Sequence, residues 1–265
     1  MARRVARPRR LASHPRRALR EVAGRAPAAI REPGKEAIAN SLLAALPRAE
    51  YQRLLAGLEP VTLKFGEVLH EPGVPIRYVY FPVDCVISLM TSVKGHRPLE
   101  VAMVGHEGMV GSPLALGINV SPRRALVQGT GTAVRMESAP FRKELLRSKP
   151  LQQALYRYKH ALMGQITQSA ACNQFHSVQA RLARYLLMTG DRARSDEFHL
   201  TQEFLAGMLG VWRVGVTHAA SDLEKRELIR YSRGKITILD RERLAAASCE
   251  CYRSPSACTT TIAHR

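Results

Sequence analysis

Five cysteines are the first residues in this 265-residue sequence with chemistry of their own. Cys249, Cys251 and Cys258 cluster near the C-terminus, whereas Cys85 and Cys172 stand alone. A Cys-x-Cys pair with a third thiol can hold a soft metal. The spacing is not that of a zinc finger, though, and no further ligand follows except His264, so no metal site is expected. Without a secretory pattern, the thiols are expected to stay reduced in a cytoplasmic setting. His70, His96 and His106 are scattered and lack the paired histidines and carboxylate of a metal-dependent β-roll enzyme. Neither a phosphate-cradling glycine loop with its lysine nor a Gly-x-Ser-x-Gly nucleophile elbow occurs. The expectation is therefore no catalytic residue, no cofactor and no enzyme.

What remains is cationic chemistry. Forty Lys and Arg against 22 Asp and Glu leave +18, which argues for a polyanionic partner, either nucleic acid or an anionic membrane surface. No uncharged run approaches the ~18 residues of a membrane span, so an integral membrane protein is excluded. Half of the charge lies in residues 1–35, where ten Arg and Lys35 face only Glu21 and Glu32. Pro8, Pro15, Pro27 and Pro33 bar any long helix there, and the segment reads as a disordered basic arm. A transit peptide or an overlong start would look the same, and the arm is either a plain solvated tail or a source of non-specific phosphate attraction.

The elements that must position a functional site come in three textures. From about residue 58 to 138, short alternating runs are punctuated by Gly or Pro: Val61 to Phe65, Val68 to Leu69, Tyr78 to Met90 broken at Pro82, Leu99 to Val104, and Ala125 to Met136 around Gly129 and Gly131. That pattern describes an antiparallel sandwich or roll, preceded by short helices over Asn40 to Leu58. Residues 139–174 change period, with Phe141, Leu145, Leu151, Leu155, Tyr158, Leu162 and Ile166 recurring at threes and fours. Pro150 can open a long helix there, whose apolar stripe packs either on the same chain's roll or on the same helix of a second subunit. Residues 177–245 read as a helical unit: one amphipathic helix ending near Thr189 and Gly190, a polar connection, a helix capped by Thr201, a turn at Gly210, and a second helix from about Trp212. Two short helices joined at a glycine meet the requirements of a helix-turn-helix, and the strands around Arg233, Gly234 and Lys235 make a basic wing.

Residues Leu200-Thr-Gln-Glu203, Leu209-Gly210, Arg213, Leu223-Glu224, Leu228-Ile229 and Arg233 to Asp240 resemble the winged helix-turn-helix of Crp/Fnr-type transcription regulators. The resemblance covers roughly residues 40–248 and is closest to a subgroup with the motif seen at His106 to Gly111 and with Ser248 to Tyr252 near the end. It implies an α+β fold: an N-terminal antiparallel β-roll of the cyclic-nucleotide-binding-like jelly-roll type, a long dimerisation helix, and a C-terminal winged helix-turn-helix. The corresponding boundaries are an arm at 1–35, a sensor roll at 36–140, the dimerisation region at 141–176, the DNA-binding unit at 177–248 and a tail at 249–265.

The function so implied is a homodimer that reads a pseudo-palindromic operator in double-stranded DNA, with RNA polymerase as a further partner. Arg213 keeps the family's arginine and would fork onto a guanine, a contact worth about 1–3 kcal/mol. Val214, Thr217 and His218 join it as base readers, while Thr201, Trp212, Arg233 and Lys235 are placed for the backbone. Val214 and His218 depart from the residues common at those places, so the operator should differ from the family's familiar sites. The implied effector pocket gathers Glu107, Gly111, Ser112, Arg123 and Arg124. Ser112 stands where cyclic-nucleotide binders carry the ribose-binding carboxylate, and Arg124 stands where a hydroxyl residue belongs, so cyclic AMP is not expected to bind, and the roll either senses another, anionic ligand or serves as a scaffold with regulation through abundance. Glu107 and His106 also read as structural turn residues. No cysteine precedes Cys85, which removes the iron-sulfur branch.

Overall fold

In the computed structural model, which describes residues 39–253, two short helices, α1 (Ser41–Ala44) and α2 (Arg48–Leu55), lead into the strands. The basic arm expected at 1–35, together with Cys258 and His264, lies outside the described residues. Asn40 is fully buried. Its side-chain oxygen caps α1 by accepting from the Leu43 N–H, and its amide donates to the Pro82 and Gly108 carbonyls at 2.9 and 3.0 Å. One capping residue thereby ties the first helix to a strand end and a loop of the roll.

Seven strands build that roll: β1 (Glu59–Leu63), β2 (Val68–His70), β3 (Tyr78–Pro82), β4 (Ile87–Thr91), β5 (Leu99–Val104), β6 (Arg124–Val127) and β7 (Gly131–Glu137). They form a three-stranded sheet ordered β1-β7-β3 and a four-stranded sheet ordered β2-β6-β4-β5, with every pairing antiparallel. The period-2 rule explains why the run through β4 is apolar without alternating. Ile87, Leu89, Ala102 and Val104 face the roll's interior, while Met90 and Met103 between them are buried by the C-terminal helices. The four-stranded sheet is therefore covered on both faces.

Helix α3 (Ser138–Arg147) is followed by the 27-residue α4 (Lys149–Phe175). Ser148 caps α4 by accepting from the Leu151 N–H at 3.1 Å, and Pro150 sits in the first turn, where its missing donor costs nothing. The apolar stripe of α4 has a definite destination. Leu151, Leu155, Tyr158 and Leu162 are buried in the roll's core with Ile166 packed beside them, and the Tyr158 hydroxyl donates to the Met109 carbonyl at 2.9 Å. Gln165 brackets the backbone of Met103, accepting its N–H and donating to its carbonyl. Of the two partners open to the stripe, the structure selects the same chain's roll. Tyr156 and Met163, on the other side of α4, remain exposed.

The C-terminal unit contains α5 (Val178–Ala193), β8 (Glu197–His199), α6 (Gln202–Leu209), α7 (Arg213–Lys225), β9 (Ile229–Ser232), β10 (Lys235–Ile238) and α8 (Arg241–Ala247). Two features differ from the sequence expectation. Helix α5 does not stop at Thr189 and Gly190 but runs to Ala193, with Arg194 as its left-handed cap. Gly190 is there for close approach: a Cβ would stand 3.1 Å from both the Ser195 carbonyl and the Arg241 guanidinium. The expected polar connection also hides β8, which pairs with β10 to make the wing three-stranded. Phe198 supplies the hydrophobic anchor that holds this short edge strand. Roll, long helix and winged unit lie within one compact body.

Candidate nucleic-acid interface

Helices α6 and α7 cross with small residues between them. Leu205, Ala206 and Leu209 of α6 and Val216, Ala219, Ala220 and Leu223 of α7 are buried, which forces the opposite face of α7 outward. Thr201 caps α6 through its hydroxyl, which accepts the Phe204 N–H at 3.2 Å, and Gly210 ends the helix in the left-handed conformation. The outward face begins at the N-terminus of α7 with Trp212, Arg213 and Val214 and continues one turn on with Thr217 and His218, all exposed. Trp212 is 87% and Val214 65% exposed, which nothing in the packing of the chain requires. The Thr217 hydroxyl donates to Gln202 Oε1 at 2.8 Å and braces α7 against α6, a role that spacing does not show.

The wing turns through Arg233 and Gly234, both at positive φ, between the paired residues Ser232 and Lys235. A two-residue hairpin of this kind needs the left-handed region at both positions, and a Cβ on Gly234 would also stand 2.8 Å from the His199 ring. Arg233 thus projects at the exposed tip. Lys235 is exposed too, but its ammonium lies 2.9 Å from the Glu197 carboxylate on the neighbouring strand, so it is a weaker candidate for phosphate than its charge suggests. The Tyr231 hydroxyl donates to the Leu200 carbonyl at 2.7 Å, joining the wing to the start of α6, and burial pushes its pKa up to about 12.

Several contacts hold this unit to the roll. Arg192 of α5 donates from Nε to Glu107 Oε1 at 2.8 Å, with both side chains almost fully buried. Gln128 donates to Ser88 at 2.6 Å and lies 2.9 Å from the Tyr185 hydroxyl, beside half-buried Glu100, whose carboxyl burial raises to about 7. Arg97 and Glu203 form an exposed ion pair between the same two parts.

Several of the residues expected to line an effector pocket have partners inside the chain. Glu107 is sequestered by Arg192, which fits its reading as a structural residue. Arg124 forks onto Glu71 at 2.6 and 3.0 Å, Arg123 lies in the loop before β6, and Gly111 with buried Ser112 opens a short 3-10 helix against Val79. Of the three charged residues, Glu107 and Arg124 form internal ion pairs and Arg123 forms none. A cavity of ≈ 40 Å³ exists elsewhere, among Glu100, Gln165, Cys172, Arg181, Arg184 and Met208, with room for a few waters and not a nucleotide. The structure also brings Cys172, Cys249 and Cys251 together with His176, a residue that the spacing of the C-terminal cysteines does not reveal.

A two-sheet antiparallel roll, a long connecting helix and a winged helix-turn-helix with an outward second helix define a DNA-binding architecture with an attached β-roll. Residues 180–247 match the Crp-like helix-turn-helix domain, so the chain carries a DNA-binding module of that family. Among solved structures, a protein from Eubacterium rectale assigned to the Crp/Fnr family of transcriptional regulators is 18% identical, covering 80% of this chain and 98% of its own, with a TM-score of 0.60. A Crp-family transcriptional regulator from Thermus thermophilus is 19% identical over 72% of this chain and 99% of its own, at 0.58. The c-di-GMP-responsive global regulator CLP of Xanthomonas campestris is 14% identical over 73% of this chain and 100% of its own, at 0.59. At these identities the likeness is one of fold, and it extends over the roll and long helix as well as the DNA-binding unit. No curated protein sequence matches the chain. Among the described residues, no helix is long and apolar enough to cross a membrane.

Proposed function

We propose that this protein is a sequence-specific, DNA-binding transcriptional regulator that acts as a homodimer on a pseudo-palindromic operator. The observation that carries the reading is the outward face of α7, where Arg213, Val214, Thr217 and His218 are exposed, in a unit that also carries an exposed basic hairpin tip at Arg233. Arg213 is the guanine reader, Val214 offers its methyl groups to a thymine methyl, and His218 reads one turn deeper. Thr201, Trp212, Arg233 and, less strongly, Lys235 serve the phosphates. Because the main stripe of α4 is taken by the roll, the dimer contact falls to its other face, around Tyr156 and Met163.

The effector is not cyclic AMP, since Glu107 and Arg124 are already paired and Ser112 cannot replace a carboxylate. Arg123 is the cation left for an anionic ligand, and the c-di-GMP response of the Xanthomonas regulator makes cyclic dinucleotides the first to test. Contact with RNA polymerase would follow from where the operator lies, and a cytoplasmic location fits a protein that works on DNA. Analytical ultracentrifugation at micromolar concentration, with fluorescence anisotropy on genomic duplexes, tests the proposal. A dimer that binds selected duplexes with strong salt dependence is expected. A monomer, or a protein that binds all duplexes equally, would refute it.

A further inference from the structure

Helix α4 ends at Phe175, and Cys172 and His176 stand four residues apart across that end, one helical turn. After α8 the chain turns back so that Cys249 and Cys251 come to the same place, 77 residues from Cys172 in the case of Cys249. The ligand atoms of these four residues all lie within 4.8 Å of one another. The Cys172 and Cys249 sulfurs are 3.8 Å apart, and Cys251 Sγ is 3.8 Å from His176 Nδ1. Thiolates at about 2.3 Å from one ion at tetrahedral angles are separated by about 3.8 Å, whereas a disulfide brings its sulfurs to about 2.05 Å. The spacing is that of a tetrahedron around a single ion.

The surroundings complete such a site. The other ring nitrogen of His176 lies 3.2 Å from Glu250 Oε1, the carboxylate–histidine arrangement that fixes a ligating imidazole's tautomer and leaves Nδ1 free to bind. Gln168 donates to the Cys251 sulfur at 2.8 Å. A divalent ion with three thiolates and a neutral imidazole carries a net charge of −1. Arg184, which lines a cavity together with Cys172, is buried with Nε and Nη2 lacking any hydrogen-bond partner. Glu100 lines the same cavity, and an anionic metal cluster would add a second counter-charge for this buried cation.

We propose that Cys172, His176, Cys249 and Cys251 bind one Zn²⁺ ion tetrahedrally, closing the site with protein ligands alone. Binding forms three Zn–S bonds and one Zn–N bond, and the three thiol protons pass to solvent. With no position open to substrate, the ion is structural. It pins the two ends of the winged unit, the approach to α5 and the exit from α8, to the end of α4, and so sets how that unit leaves the long helix.

The test uses the full-length protein, purified in reductant, stripped with a chelator and titrated with Co²⁺ and then Zn²⁺. One Co²⁺ per chain is expected, with thiolate-to-cobalt charge-transfer bands and the visible bands of a tetrahedral ion, all abolished by one equivalent of Zn²⁺. Cys251→Ser and His176→Ala should each remove the tetrahedral spectrum, while Cys258→Ser and His264→Ala keep it. Glu250→Gln should weaken Zn²⁺ about tenfold to hundredfold. Absence of cobalt bands in folded protein would overturn the proposal. So would a spectrum that survives Cys172→Ser, two irons with sulfide per chain, or a Cys172–Cys249 disulfide persisting in reductant. The native protein's titration needs no variant to fold, and it gives its answer whether or not the chain binds DNA.

Discussion

Replacing Arg192 by Leu should be among the most damaging single changes in the protein. The Arg192 and Glu107 side chains are 3% and 5% exposed, and their pairing joins α5 to the roll. In the variant, Glu107 Oε1 loses its donor while Oε2 already has none, leaving a buried carboxylate without compensation. Breaking one partner of a buried pair costs about 3–5 kcal/mol, which for a protein of this size lowers the melting temperature by roughly 6–20 °C. Urea melts check the loss, and the double variant Glu107→Gln/Arg192→Leu should recover much of it. A single variant within about 1 kcal/mol of the native protein, or a double variant no more stable than the single one, would refute the reasoning.

Other expectations follow from the same structure. Arg233→Ala should weaken binding to every duplex and lower the salt slope by about one, whereas Lys235→Ala, because of Glu197, should lower it by less; anisotropy across a salt series separates them. Glu100 has its pKa raised by burial from 4.5 to about 7, so it favours the folded state when protonated and that stability is lost as pH rises through this window. Glu100→Gln should therefore flatten the decline in stability between those pH values, as followed by thermal melts. Calorimetry with cyclic AMP should show no micromolar binding, and binding that disappears in Arg123→Ala would contradict the reading of the roll.

Where local rules decide, the sequence was informative. Thr201, Gly210, Pro150 and the Arg233-Gly234 turn all lie where capping and turn chemistry place them, and the strands of the roll overlap the five apolar runs, two of which divide into two strands each. What was hidden depends on partners distant in the chain. Glu107 looks like an available acid until Arg192, 85 residues on, is folded against it. Gly190 looks like a helix stop because nothing local reveals the Ser195 carbonyl and Arg241 that need its space. Met90 and Met103 look like ordinary strand residues, and only the docking of the winged unit explains why that sheet is apolar on both faces. His176 was invisible as a ligand for the same reason, since its thiol partners other than Cys172 return from the far side of the DNA-binding unit.

The central claim, that α7 reads bases in a twofold complex, is tested most directly by selecting binding sites from random duplexes with the native protein and with Arg213→Ala. The native protein should enrich a pseudo-palindrome whose half-site centres are one helical turn, about 34–36 Å, apart. The variant should bind while losing preference at one position in each half-site, a loss of about 1–3 kcal/mol of discrimination. No enrichment by the native protein, an isolated half-site, or identical logos from both proteins would contradict the account.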